Sequence, residues 1–195
     1  MDDVETYENV LRVFAGYGFG KASMAEIASA ANVSRQTLYN RFRTKKAVLS
    51  WAAAGFTEVC MARALARLAE PETDAETAMT GCFMAWISDV LPLLRSAPHG
   101  AEILDMGVDT QRRENVDRVA RMSAHLAEFM LDRGICRNAS DAEGRAFLLI
   151  MASKGLLLES QDVGTFEAGM RRAVQAVLLL GPSGEPSTRE DSTHE

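Results

Sequence analysis

Residues 23–49 read SMAEIASAANVSRQTLYNRFRTKKAVL, and this stretch decides the fold. Ser23 is a good helix N-cap, and Glu26 three residues later completes a capping box. Met24, Ile27, Ala28 and Ala31 then share one helical face, and the two alanines leave room for another helix to cross closely. Asn32 follows where the chain must turn sharply, and asparagine is among the few non-glycine residues that tolerate left-handed backbone angles. Val33 plugs the turn. Ser34 caps a second helix, expected over 34–43, with Leu38 and Phe42 on its inner face. Thr44 is a third cap and opens a long helix from Lys45 to about Ala69, which Pro71 and the acidic stretch from Glu70 to Asp74 close. Two short helices across a tight turn, with a third starting at once, make a helix-turn-helix.

The outer face of the second helix carries the chemistry. At about 100° per residue, Gln36, Tyr39, Asn40 and Arg43 point away from Leu38 and Phe42, with Arg35 and Thr37 flanking them. Arginine pairs bidentately with guanine, and glutamine or asparagine with adenine, so this face suits base edges in a major groove. N-terminal residues of such a helix lie nearest the bases, which selects Arg35, Gln36 and Thr37 as expected base contacts. Lys45 and Lys46 occupy the first turn of the third helix, where cations oppose the helix dipole by ~0.3–1 kcal/mol each. An anion docked there would reverse that cost, since free N–H groups, dipole and lysines would act together. Ser23, Tyr39, Asn40, Arg43, Lys45 and Lys46 are therefore the expected phosphate contacts.

Working outward, Val4, Tyr7, Leu11 and Phe14 mark a preceding helix that Gly16, Gly18 and Gly20 end. Five further helical segments follow, at roughly 74–95, 99–106, 110–133, 140–160 and 163–180, and Gly181–Pro182 stops the last. Residues 182–195 are polar and are expected to be a disordered tail. The chain is expected to be all-α, with residues 1–50 a three-helix DNA-binding domain and residues 51–181 a helical body.

Charge separates the two parts. The whole chain carries −6, yet residues 21–50 hold six basic side chains against Glu26 alone, while residues 51–195 hold 14 basic and 22 acidic ones. A basic head on an acidic body concentrates phosphate attraction at the head. His99, His125 and His194 are scattered, and no HExxH, nucleophile signature or phosphate-binding glycine loop occurs, so neither catalysis, a metal nor a cofactor is expected. No apolar run nears the ~18 residues of a membrane span. The start at Asp2 and Asp3 lacks secretory features, so a cytoplasmic location is expected. Cys60, Cys82 and Cys136 have no CxxC pairing and read as buried small hydrophobes. A redox-sensing regulator using Cys60 or Cys82 is the alternative.

Over residues 7–50 the sequence resembles the TetR family of bacterial transcriptional regulators. The resemblance rests on Gly18–Phe19, Ile27–Ala28, Ala31–Asn32–Val33–Ser34, Thr37–Leu38–Tyr39, Phe42 and Lys45. Asn32 replaces the usual turn glycine, and Lys46 stands where an acidic residue is common. The resemblance implies a homodimer paired through its two most C-terminal helices, which makes Ile150, Leu157, Met170, Val174, Val177 and Leu178 expected interface residues. It also implies a repressor on a palindromic operator, released or engaged by a small, mostly apolar effector. Phe83, Trp86, Met106, Met122, His125 and Phe129 in the central helices, with Phe147 and Met151, are the expected cavity lining, although core packing is the plainer reading of any one of them. The expected partners are thus double-stranded DNA, a second copy of the chain and the effector, with no membrane.

Overall fold

The computed structural model describes residues 2–88, 97–113 and 117–181, with residues 107–113 described by their backbone alone. Among the described residues there are helices and connections but no strand. The helices are α1 (Val4–Lys21), α2 (Met24–Ala30), α3 (Arg35–Arg41), α4 (Lys45–Leu68), α5 (Ala75–Phe83) with a π-helical turn at Met84–Ser88, α6 (Gly100–Arg113), α7 (Arg118–Asp132), α8 (Ala139–Glu159) and α9 (Val163–Leu179). The fold is all-α, as the sequence pattern predicts. The expected tail and the junction around Pro92 lie outside the described residues.

Local chemistry sets the boundaries. Asp3, Ser23, Ser34, Thr44, Asp74, Asp117, Asn138 and Asp162 each accept an N–H three residues on, so each caps a helix whose first donors would otherwise lack partners. Asn32 takes φ 52°, the left-handed conformation the turn needs. Gly18, at φ 78° and ψ 154°, interrupts α1, and helical bonding resumes for one turn to Lys21. A side chain at Gly18 would be strained, and its Cβ would lie 3.1 Å from the His99 ring.

Two cores result, and α4 serves both. The head core packs Val10, Phe14, Ile27, Leu38 and Phe42 against Val48, Leu49, Ala52, Phe56 and Cys60 of α4, and takes Ile103 from α6. The body core begins at Met61, Ala64 and Leu68 of the same helix and joins α5, α7, α8 and α9 through Phe83, Met122, Leu149, Phe166 and Met170. Trp86, on the π-helical turn, packs against both cores. α1 crosses α4 so closely that a Cβ on Gly55 would lie 2.2 Å from the Tyr7 ring.

Buried polar groups tie the body together. Arg145 is 2% exposed; it pairs with Asp141 through two 2.9 Å bonds, and also donates to the carbonyls of Val177 and Gly181 at the end of α9. It thereby adds a charged donor to one carbonyl in the last turn of α9 and to one just beyond the helix. Glu58 on α4 accepts from Arg118 and Arg121 of α7, each at 2.9 Å.

Candidate nucleic-acid interface

α3 has only seven residues, well short of the ~12–15 an isolated helix needs. Its anchors and caps hold it instead. Leu38 is fully buried, which stabilises by roughly 1.5–3 kcal/mol. The Ser34 hydroxyl accepts the Thr37 N–H at 3.0 Å and pairs with the Thr37 hydroxyl at 2.8 Å. The helix stops at Arg41, shorter than the expected 34–43, because Phe42 turns extended at φ −128° and ψ 116°. Phe42 still plugs the head core from that position, beside Trp51 at 5.1 Å between ring centroids. Arg43 therefore lies on the α3–α4 connection, and its helical-wheel placement does not apply.

The rest of the outer face is where the sequence put it. Arg35, Gln36, Thr37, Tyr39 and Asn40 are all exposed on α3. The Gln36 amide donates to Asn40 Oδ1 at 2.9 Å, one turn away, which holds the glutamine side chain upright along the helix. Tyr39 leaves 51% of its surface in solvent.

The cations divide into held and free. Lys45 Nζ donates to the carbonyls of Gly20 and Ala22, both at 2.9 Å, and lies 5.0 Å from the centre of the Phe19 ring. It joins the start of α4 to the turn between α1 and α2. Arg41 pairs with Asp2. Arg35, Arg43 and Lys46 are exposed, and no ion pair engages them among the described residues. Ser23 is occupied by its capping box: its hydroxyl donates to Glu26 at 2.7 Å, and its N–H does so at 2.9 Å. Those two bonds lower the Glu26 pKa, the side-chain bond most. The sequence pattern does not reveal the commitments of Lys45 and Arg41, whose partners lie 25 and 39 residues away.

Residues 10–50 match the family model of bacterial regulatory proteins, tetR family. The head is a TetR-family domain. Two crystal structures share the fold over most of the chain. One, described as a tetR-family transcriptional regulator from Mesorhizobium loti, has 17% identity, a TM-score of 0.65, and coverage of 92% of this chain and 96% of its own. The other, a transcriptional regulator from Rhodococcus sp. Rha1, has 20% identity, a TM-score of 0.58, and coverage of 93% and 98%. No curated protein matches the chain in sequence.

Behind the TetR head, the body places the expected cavity and interface residues differently from the sequence reading. Phe83, Met122 and Phe129 are packed in the body core. His125 is 42% exposed and lies 3.7 Å from Glu128 on the surface of α7. Phe147 and Met151 face solvent at 58% and 38% exposure, so neither lines an interior space. Conversely, Ile150, Met170, Val174 and Val177 are buried inside the protomer, and Leu157 and Leu178 only partly exposed. The reason is geometric. Adjacent helical residues point about 100° apart, so α8 turns Ile150 inward and Met151 outward.

Grooves among the described residues of the body include two. One of about 320 Å³ lies between the end of α4 and α5, lined by Arg67, Glu70, Thr77, Ala78, Gly81, Met84 and Ala85. The other, of about 530 Å³, runs between α7 and α8 past Ala120, Ala124, Ala127 and Leu131, with Glu128, Asp132 and Glu143 also lining it. Neither includes an expected cavity residue. The cysteines are buried, and burial pushes the Cys82 thiol up to about 12, which opposes the thiolate a redox sensor needs. Among the described residues no helix is long and apolar enough to cross a membrane.

Proposed function

We propose that the protein is a DNA-binding transcriptional repressor that grips a two-fold symmetric operator as a homodimer and answers to a small, mostly apolar effector. The observation that carries the DNA reading is the exposed, polar outer face of α3 on a TetR-family head. Arg35, Gln36 and Thr37 read base edges. Arg43, Lys46, Tyr39 and Asn40 contact phosphates, with Ser23 at the start of α2 beside them. Lys45 gives two of its three donors to carbonyls, so one N–H remains for a phosphate.

The dimer reading is supported by a surface rather than by the buried residues first expected. Phe147, Met151 and Leu158 lie along one exposed stripe of α8, with Gly155 between the last two. Leu148 and the end of α9, with Leu179 85% and Leu180 62% exposed, extend it. An apolar patch of that kind on a soluble protein calls for a partner, and Gly155 has open space at its Cβ position for a crossing helix. Two-fold pairing there sets two copies of α3 about one DNA turn apart, roughly 34–36 Å.

The effector reading is supported by the seam between the cores. Trp86 and Met106 are partly buried there, and Trp86 stands on a π-helical turn, a distortion frequent at functional sites. A ligand wedged at Trp86 would bias the spacing of the two heads, which is how binding at one site alters affinity at another.

Selection of duplexes from a random pool, followed by binding measurements on the selected sequence, tests the whole. The expected consensus is an inverted repeat bound by two chains. Recovery of no sequence preference would overturn the operator reading. A ligand screen read by Trp86 fluorescence, with Trp51→Phe as background, tests the effector: ligands should shift emission and operator affinity together.

A further inference from the structure

The start of the chain closes onto the recognition helix. Asp2 Oδ2 accepts Arg41 Nη1 at 3.0 Å, and Oδ1 accepts both Arg41 Nη2 at 2.6 Å and the Trp51 indole N–H at 2.9 Å. Arg41 is the last residue of α3, and Trp51 lies in the second turn of α4. The guanidinium sits 5.2 Å from the ring centres of both Phe42 and Trp51. Trp51 meets Tyr7 edge-on at 5.1 Å. One carboxylate, two residues ahead of α1, thus joins the end of α3 and the side of α4.

The pair is at the surface, with side chains 40% and 56% exposed. Pairs so exposed contribute little to stability, typically ~0–1 kcal/mol. Their larger effect is on what the guanidinium can still bind. A planar fork filled bidentately by a carboxylate presents the same donors a phosphate would take, and its charge is cancelled. Arg41 is exposed at the C-terminal end of α3, next in sequence to Asn40, which is assigned above to a phosphate. Left free, it would add a contact that every DNA sequence offers equally.

We propose that Asp2 is a specificity-determining residue: it occupies the phosphate-binding edge of Arg41 and withholds a sequence-independent contact from DNA. It also fixes the end of α3 against α4, so that affinity depends on the base-reading residues at the other end of the helix. The inference rests on the DNA-binding reading.

The full-length chain is compared with Asp2→Asn, Asp2→Glu and the double variant Asp2→Asn/Arg41→Gln. Each is titrated by fluorescence anisotropy against the selected operator and a scrambled duplex over a range of salt. Asp2→Asn is expected to bind the scrambled duplex more tightly, with a log–log salt slope steeper by about 0.9, the increment for one added phosphate contact. Its preference for operator over scrambled DNA falls. Asp2→Glu keeps the charge and the parental slope, and the double variant returns to that slope. An unchanged slope in Asp2→Asn, or a gain that persists without Arg41, overturns the inference while leaving the DNA reading intact. A parent chain that binds neither duplex at low salt overturns both.

Discussion

Lys45 and Lys46 are neighbours with different employment. The Lys45 ammonium holds two backbone carbonyls across the α1–α2 turn, whereas Lys46 projects freely into solvent. Lys46→Ala should therefore reduce the salt slope of DNA binding by about 0.9 and leave the melting temperature unchanged. Lys45→Ala should lower both, because two carbonyls lose a charged donor, worth roughly 1.5–3 kcal/mol per bond before solvent screening. Anisotropy titrations alongside thermal melts separate the two; equal melting temperatures would refute the structural role of Lys45. On α3, Gln36→Ala should relax discrimination at one operator position by about 1–3 kcal/mol, read by repeating the duplex selection with the variant. The head's carboxylates add a pH dependence. Arg41, then Trp51, hold Asp2 down at about 2 from its ordinary 3.8, and Ser23 lowers Glu26 from 4.5. Lowered folded-state values stabilise above the unfolded values and lose that stabilisation as pH falls through the folded ones. Melting temperature should hold from pH 7 to about 5 and decline from about 4.5 toward 2, whereas Asp2→Asn should decline less over that window.

At the scale of elements, what could be read from the sequence follows contact range. The Ser23–Glu26, Ser34–Thr37 and Thr44–Ala47 caps were legible because donor and acceptor are three residues apart. The left-handed turn at Asn32 was legible for the same reason. The end of α3 was not: helical periodicity continues smoothly to Phe42 and Arg43, and only the pull of Phe42 into a core shared with Trp51 straightens the backbone. The α1–α4 crossing was equally hidden, since nothing local marks Gly55 as a contact for Tyr7, 48 positions earlier. That crossing yields a sharp expectation. Gly55→Ala would normally favour a helix by about 0.8–1.0 kcal/mol. Here the new methyl would lie 2.2–2.5 Å from the Tyr7 ring, and forcing the helices apart should destabilise by about 1–3 kcal/mol. A lowered melting temperature with intact far-ultraviolet circular dichroism is the expected result; a raised one would mean the crossing is looser than described.

For the molecule as a whole, α4 is the beam that makes head and body one object. Its residues through Cys60 belong to the head core and those from Met61 to the body core, so a rotation of α4 driven from the body must move the platform on which α3 rests. The resemblance implied pairing through α8 and α9, but a helix apolar on more than one side does not reveal which side looks inward. The structure gives Ala142, Ala146, Leu149 and Ile150 to the protomer core and leaves Phe147, Met151 and Leu158 outside. That assignment separates two kinds of substitution that sequence alone would class together. Met151→Glu changes an exposed residue and should leave the protomer folded while desolvation of the new charge opposes pairing. Sedimentation should then report a monomer, and affinity for the inverted repeat should fall toward that of a single half-site. Ile150→Glu, one position away, places a carboxylate in a site 1% exposed and should unfold the body before any question of pairing arises. If Met151→Glu and its neighbour Phe147→Glu both remain dimeric at micromolar concentration, the α8 stripe is not the pairing surface. The two heads would then be spaced by some other face, and the one-turn separation expected of the operator half-sites would fall with it.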